Sequence, residues 1–140
     1  MTLLVVDASV AVKWFVPEVH GEAAKRFLDP NHELLAPELI WAELGNALWK
    51  KRRRGEIDAT AARRMFMDFK RYPLTTVPLA NLAEAAWDIA ERLDRSVYDS
   101  FYLALAEDRR SRLVTADRKF YDAATAHQLM QNIVWVEDHL

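Results

Sequence analysis

Four acidic residues stand where a carboxylate has little solvent to answer to. Asp7 in LVVDAS and Asp117 in LVTADRKF each follow a short apolar run, while Glu43 in WAELGNAL and Asp99 in SVYDSFYLALAE sit within apolar helical stripes. Carboxylates are costly to bury and repel one another when crowded, unless a cation or protons compensate them. Should the four meet in space, a hard metal ion is the simplest reason. The chemistry such an ion would serve is hydrolysis of a phosphodiester bond.

The rest of the composition narrows the ion. The chain has no cysteine, and His20, His32, His127 and His139 form no H-x-x-x-H pair. Thiolate and zinc centres are thereby set aside, and oxygen ligands favour Mg²⁺, Mn²⁺ or Ca²⁺. Three glycines in 140 residues also exclude a glycine-rich phosphate cradle.

Each carboxylate has a plainer reading beside the functional one. Asp7 and Asp117 would serve as helix N-caps, yet ligands of open parallel sheets bind beyond the carboxyl ends of the strands, where both fall. Glu43 has Leu39, Ile40 and Ala47 as its helical neighbours. It therefore lines a cleft edge, or else its stem snorkels to water. Ser96-Val97-Tyr98-Asp99 fits a capping box, although Leu103 and Ala106 place Asp99 above the apolar stripe. Ser9 and Thr115 lie two residues from Asp7 and Asp117 and would orient a carboxylate or a bound water, or simply begin a helix and end a strand.

The elements that must position these groups alternate between strand and helix. Strands are expected at Leu3–Val6, Glu33–Ala36, Leu74–Val77, Leu113–Thr115 and Ile133–Val136. Helices are expected at Ala8–Phe15, Gly21–Leu28, Pro37–Arg54, Ala59–Arg71 capped by Asp58, Asn81–Leu93 capped by Asn81, Ser96–Asp108 and Arg118–Met130. Strands separated by helices pair in parallel with right-handed crossovers. The fold class is α/β, a central parallel sheet of about five strands flanked by helices, in one domain spanning residues 1–140.

Net charge is −2, which implies no partner by itself, but Lys50, Lys51, Arg52, Arg53 and Arg54 make an unbroken basic block. That block ends the helix bearing Glu43, with Arg54 about 16 Å along it, and reads either as a phosphate-binding strip or as cations complementing the helix dipole. Of the five tryptophans, Trp41 and Trp49 share that helix and Trp14 ends the first one. Most serve packing, and some would form an apolar face for a partner helix or a second copy. Asp7 and Lys13 interrupt the apolar N-terminus, so no signal peptide is expected; no stretch is long enough to span a bilayer, and a cytoplasmic location follows.

Taken together, VVDASV, a glutamate within a long helix, YDSFYLALA and LVTAD resemble the PIN-domain ribonucleases, and most closely the VapC-type toxins of toxin–antitoxin pairs. The likeness covers nearly the full chain, with the motifs in the family's order. It implies a PIN-like sandwich and a metal-dependent endoribonuclease. By that likeness Asp7 and Asp99 would ligate Mg²⁺ or Mn²⁺ directly, while Glu43 and Asp117 bind a second ion or hold water. Whether one or two ions act stays open. The resemblance further implies an RNA substrate, a homodimer and a cognate antitoxin whose segment lies in an apolar groove.

Two other α/β readings fit less well. A haloacid-dehalogenase-type phosphatase needs an acidic residue two positions after Asp7, where Ser9 stands, and a lysine before LVTAD. A receiver-like signalling module needs paired acids after the first strand and an aspartate after the third, and neither DAS nor TVPLAN supplies them.

Overall fold

The computed structural model describes residues 1–140, the side chain of Met130 excepted. Strands β1 (Thr2–Val6), β2 (His32–Pro37), β3 (Leu74–Val77), β4 (Arg112–Thr115) and β5 (Ile133–Trp135) form a five-stranded parallel sheet in the order β3-β2-β1-β4-β5. Helices α1 (Ala8–Ala11), α2 (Gly21–Lys25), α3 (Leu39–Arg53) and α4 (Ala59–Asp68) occupy the connections leading out to β3. Helices α5 (Ala83–Leu93), α6 (Val97–Asp108) and α7 (Arg118–Ala126) occupy the connections leading back through β4 to β5. Right-handed crossovers in opposite directions put the two groups on opposite faces of the sheet.

Because both faces are covered, the strands read as continuous apolar runs rather than alternating ones. Leu4, Val5, Val6, Leu34, Leu35, Ala36, Leu113 and Val114 are all buried, packed against Ile40, Leu44 and Leu48 of α3 and Leu103 and Leu105 of α6. The chain leaves β1 in one direction and β4 in the other, although the two are hydrogen-bonded neighbours pairing Val5 with Leu113 and Val6 with Val114. Diverging connections open a crevice at the carboxyl ends of these strands, the position where such sheets bind ligands.

All five expected strands are present, with β5 ending one residue early. The helix boundaries differ more. Pro37 pairs with Val77 at the end of β2, so α3 begins only at Leu39. The first, second and fourth helices each tighten into a 3₁₀ turn, at Val12–Trp14, Arg26–Leu28 and Phe69–Arg71. Asn81 caps nothing: it lies within a 3₁₀ turn, Leu79–Leu82, and α5 starts at Ala83 without a side-chain cap.

The last helix stops at Ala126 instead of Met130 because Gln128 adopts a left-handed φ of 66°. Gln128 N–H then bonds to Thr125 O at 3.2 Å and Leu129 N–H to Ala124 O at 3.0 Å, which closes the helix. Glycine usually fills that position, and its absence here hid the boundary.

Candidate active site

Asp7, Glu43, Asp99 and Asp117 all line one cavity of about 160 Å³, together with Ser9 and Tyr102. Residues 110 positions apart thus converge where β1 and β4 end. Asp7 leaves β1 in extended conformation and Asp117 does the same just after β4. Glu43 reaches in from α3 and Asp99 from the first turn of α6.

Capping and cavity-lining prove compatible for the two strand-end aspartates. Asp7 Oδ1 accepts from Val10 N–H at 3.2 Å, and Asp117 Oδ1 accepts from Phe120 N–H at 3.1 Å. The capping box at Ser96 is only half formed. Ser96 Oγ accepts from Asp99 N–H at 3.2 Å, but the Asp99 carboxylate turns instead to Arg95, whose Nε and Nη2 donate at 3.2 and 2.8 Å. The same Arg95 Nη2 lies 3.7 Å from Asp117, and its guanidinium rests 5.4 Å from the Phe120 ring centroid.

Asp7 is held from both sides. Ser9 Oγ donates to Oδ1 and Thr115 Oγ1 donates to Oδ2, each at 2.5 Å. Both hydroxyls are themselves fixed by backbone: Ala116 N–H donates to Ser9 Oγ at 2.9 Å and Asp117 N–H to Thr115 Oγ1 at 3.1 Å. Each hydroxyl thus accepts one backbone N–H and donates its own proton to Asp7, which orients the carboxylate.

Burial dominates the electrostatics. It raises the Asp7 carboxyl to about 7, against the opposing pull of Ser9, Thr115 and Val10 N–H. Glu43 is raised by burial, with the Tyr102 hydroxyl opposing and the Asp99 charge adding to it. Asp99 is also raised by burial, with Arg95 pulling it down and Asp117 pushing it up. Each group feels another's charge, the signature of carboxylates sharing a site. Tyr102 adds a buried hydroxyl without a well-formed hydrogen bond, its own pKa driven up by burial and by neighbouring Glu43.

This donor set suits a hard divalent cation. It offers carboxylate and hydroxyl oxygens only, it is partly desolvated, and it carries more negative charge than Arg95 neutralises. Among the described residues, no three His, Asp or Glu side chains form a ready-made metal cage. Asp7 is turned to Ser9 and Thr115, and Asp99 to Arg95.

The basic block divides. Lys51 is half-buried and pairs with Glu18 at 2.8 Å and Glu56 at 3.9 Å, which ties the end of α3 to the loop after α1. Lys50, Arg52, Arg53 and Arg54 are exposed and make no ion pair among the described residues. Arg95 and Tyr102 were not singled out by sequence. An arginine four residues before an acidic helix position was the one available signal.

The PIN domain family profile matches residues 4–126. Among curated relatives, the VapC ribonuclease Mb0985 of Mycobacterium bovis is 34% identical over 124 residues, covering 89% of this chain and 93% of that protein. Ribonuclease VapC3 of Pyrobaculum aerophilum is 35% identical over 118 residues, covering 83% and 90%. The crystal structure of PAE2754 from Pyrobaculum aerophilum superposes with a TM-score of 0.72 at 26% identity, covering 97% of this chain and 85% of that one. That of Mycobacterium tuberculosis VapC20, described as a Sarcin-Ricin loop cleaving toxin, gives 0.65 at 19% identity over 86% and 94%, a likeness of fold. The chain belongs to the PIN-domain family, among its VapC-type ribonucleases.

Proposed function

We propose that this protein is an endoribonuclease that hydrolyses RNA phosphodiester bonds with a bound divalent ion, Mg²⁺ or Mn²⁺, as the toxin of a VapBC-type toxin–antitoxin pair. The observation that carries the reading is the convergence of Asp7, Glu43, Asp99 and Asp117 on one cavity at the β1–β4 crevice, on a chain 34% identical to a VapC ribonuclease. Asp7 and Asp99 would hold the ion directly, with Glu43 and Asp117 holding a second ion or bound water.

When bound, the ion supplies positive charge that polarises the scissile phosphate and lowers the pKa of water beside it. The chain's own groups do the rest. Ser9 and Thr115 orient the Asp7 carboxylate and, by donating to its two oxygens, oppose the upward push of burial on its pKa. Arg95 offsets the charge of Asp99 and Asp117. Tyr102 presents a donor from the floor of the cavity beside Glu43.

Solved structures of similar fold include a toxin–antitoxin complex from Klebsiella pneumoniae and VapBC2 from Rickettsia felis. They motivate a cognate antitoxin as partner; a homodimer is expected from the family resemblance alone. Among the described residues, no helix is long and apolar enough to cross a membrane. The test is incubation of antitoxin-free protein with structured RNA in Mg²⁺, Mn²⁺ or chelator, beside Asp7→Asn and Asp99→Asn. Metal-dependent cutting by the wild type alone supports the reading; equal cutting by the variants, or in chelator, refutes it.

A further inference from the structure

Of the four carboxylates lining the cavity, three are held by a well-formed hydrogen bond and Glu43 is not. Asp7 receives the Ser9 and Thr115 hydroxyls, Asp99 receives Arg95, and Asp117 receives Phe120 N–H. Glu43 has the longest and most flexible side chain of the set, yet the donor that reaches it is the Tyr102 hydroxyl, which falls short of good geometry. The cavity thus holds one carboxylate without a firm donor beside one hydroxyl without a firm acceptor.

Tyr102 is a rigid element of the site. It follows Asp99 by three residues on α6, which puts both on one face of that helix. Its side chain is 1% exposed and sits beside buried Leu103 and Leu105, so the ring is locked by packing and the O–H bond alone can turn. Burial first, and then the charges of Glu43, Asp7 and Asp99, push the Tyr102 pKa up, so the hydroxyl keeps its proton and is able to donate. Buried hydroxyls are nearly always bonded, because leaving one unmet costs as much as breaking a hydrogen bond. Phenylalanine would fill the same space without that cost. Packing therefore accounts for the ring and leaves the oxygen unexplained.

We infer that Tyr102 is a positioning residue: its hydroxyl is the donor that holds the Glu43 carboxylate in the cavity, as Ser9 and Thr115 hold Asp7. The inference rests on the ribonuclease reading and adds a neutral residue to its acidic set. A half-buried glutamate with three rotatable side-chain bonds otherwise turns toward water, and fixing it in the cavity costs rotamer freedom. A donor already fixed by the fold removes most of that cost, which is how outer hydrogen bonds prepare a ligand for an ion. The hydroxyl should therefore matter to Mn²⁺ binding and to rate, and not to the metal-free fold.

The experiment compares wild type with Tyr102→Phe, Glu43→Ala and the double variant, by thermal melting in chelator and by calorimetric titration with Mn²⁺. In chelator, Tyr102→Phe melts no lower than wild type, since the ring and its packing are kept. Its Mn²⁺ affinity is about tenfold weaker. In the Glu43→Ala background the tyrosine change alters Mn²⁺ affinity no further, which locates the effect of the hydroxyl on Glu43. Cleavage by Tyr102→Phe at saturating Mn²⁺ loses about tenfold in kcat with KM unmoved. Mn²⁺ affinity unaltered by Tyr102→Phe, or an equal loss with and without Glu43, overturns the pairing and leaves the nuclease reading intact. A melting temperature several degrees lower in chelator makes the hydroxyl a structural group and overturns the pairing as well. Wild type that binds no Mn²⁺ and cuts no RNA overturns the nuclease reading itself.

Discussion

Thr115 Oγ1 donates a 2.5 Å hydrogen bond to Asp7 Oδ2 across 108 residues of sequence, joining the ends of two neighbouring strands. Both side chains are buried, so the bond forms where water cannot replace it. Thr115→Val keeps the shape and removes the donor. The variant is expected to lose about 1–3 kcal/mol of stability, and cleavage is expected to fall about tenfold or more. Thr115→Ser retains the hydroxyl and most of the activity. Melting curves and cleavage rates for the two variants check this.

Asp7 makes the metal-free protein sensitive to pH in an unusual direction. Its folded pKa of about 7 lies above the ordinary 3.8, so the folded state binds the extra proton. That stability is fully present below the unfolded pKa and is lost as pH rises from about 4 to about 7, by at most about 4 kcal/mol. Glu43 and Asp99, both raised, act in the same sense. Chemical denaturation in chelator should show stability declining over that window. Asp7→Asn should be more stable than wild type at pH 8, with the gap closing at pH 4. A wild type that gains stability across the window would contradict the assignment.

Arg95 and an incoming cation compete for Asp99. The pair is about a quarter exposed on both sides, so Arg95→Gln should cost the metal-free fold no more than about 1 kcal/mol. Removing the resident charge should tighten Mn²⁺ binding in calorimetry. Weaker Mn²⁺ binding in the variant would show instead that Arg95 only organises the site.

Glu18 bridges Lys13 at 2.9 Å and Lys51 at 2.8 Å, and Lys13 is only 8% exposed. Burial pushes the Glu18 carboxyl up, but the two lysines more than reverse this and leave it below its usual value. Its contribution is present at neutral pH and lost on acidification, opposite in sign to Asp7. Glu18→Gln strands a buried ammonium and should cost about 2 kcal/mol at pH 7. The same change at Glu56, 3.9 Å from Lys51 and half exposed, should cost little.

The sequence disclosed these features unevenly. The strands were legible because sheet faces covered on both sides demand unbroken apolar runs such as Leu113–Val114. The four carboxylates were legible because each broke such a run or stripe. Helix ends were not, since Asp94, Arg110 and Gln128 take left-handed conformations without being glycine. Pairing between Arg95 and Asp99 was hidden because a capping box explained the same aspartate locally. Which cations of the basic block are free depended on Glu18, a residue more than thirty positions away in the chain.

The central claim is that the oxygens of Asp7, Glu43, Asp99 and Asp117 jointly hold a divalent cation. Crystals grown with Mn²⁺ test it by anomalous diffraction. A peak within ligand distance of Asp7 and Asp99, lost in Asp7→Asn, is the result expected. Crystals of RNA-cleaving protein with no Mn²⁺ peak in that cavity, or with the ion bound elsewhere, would contradict it.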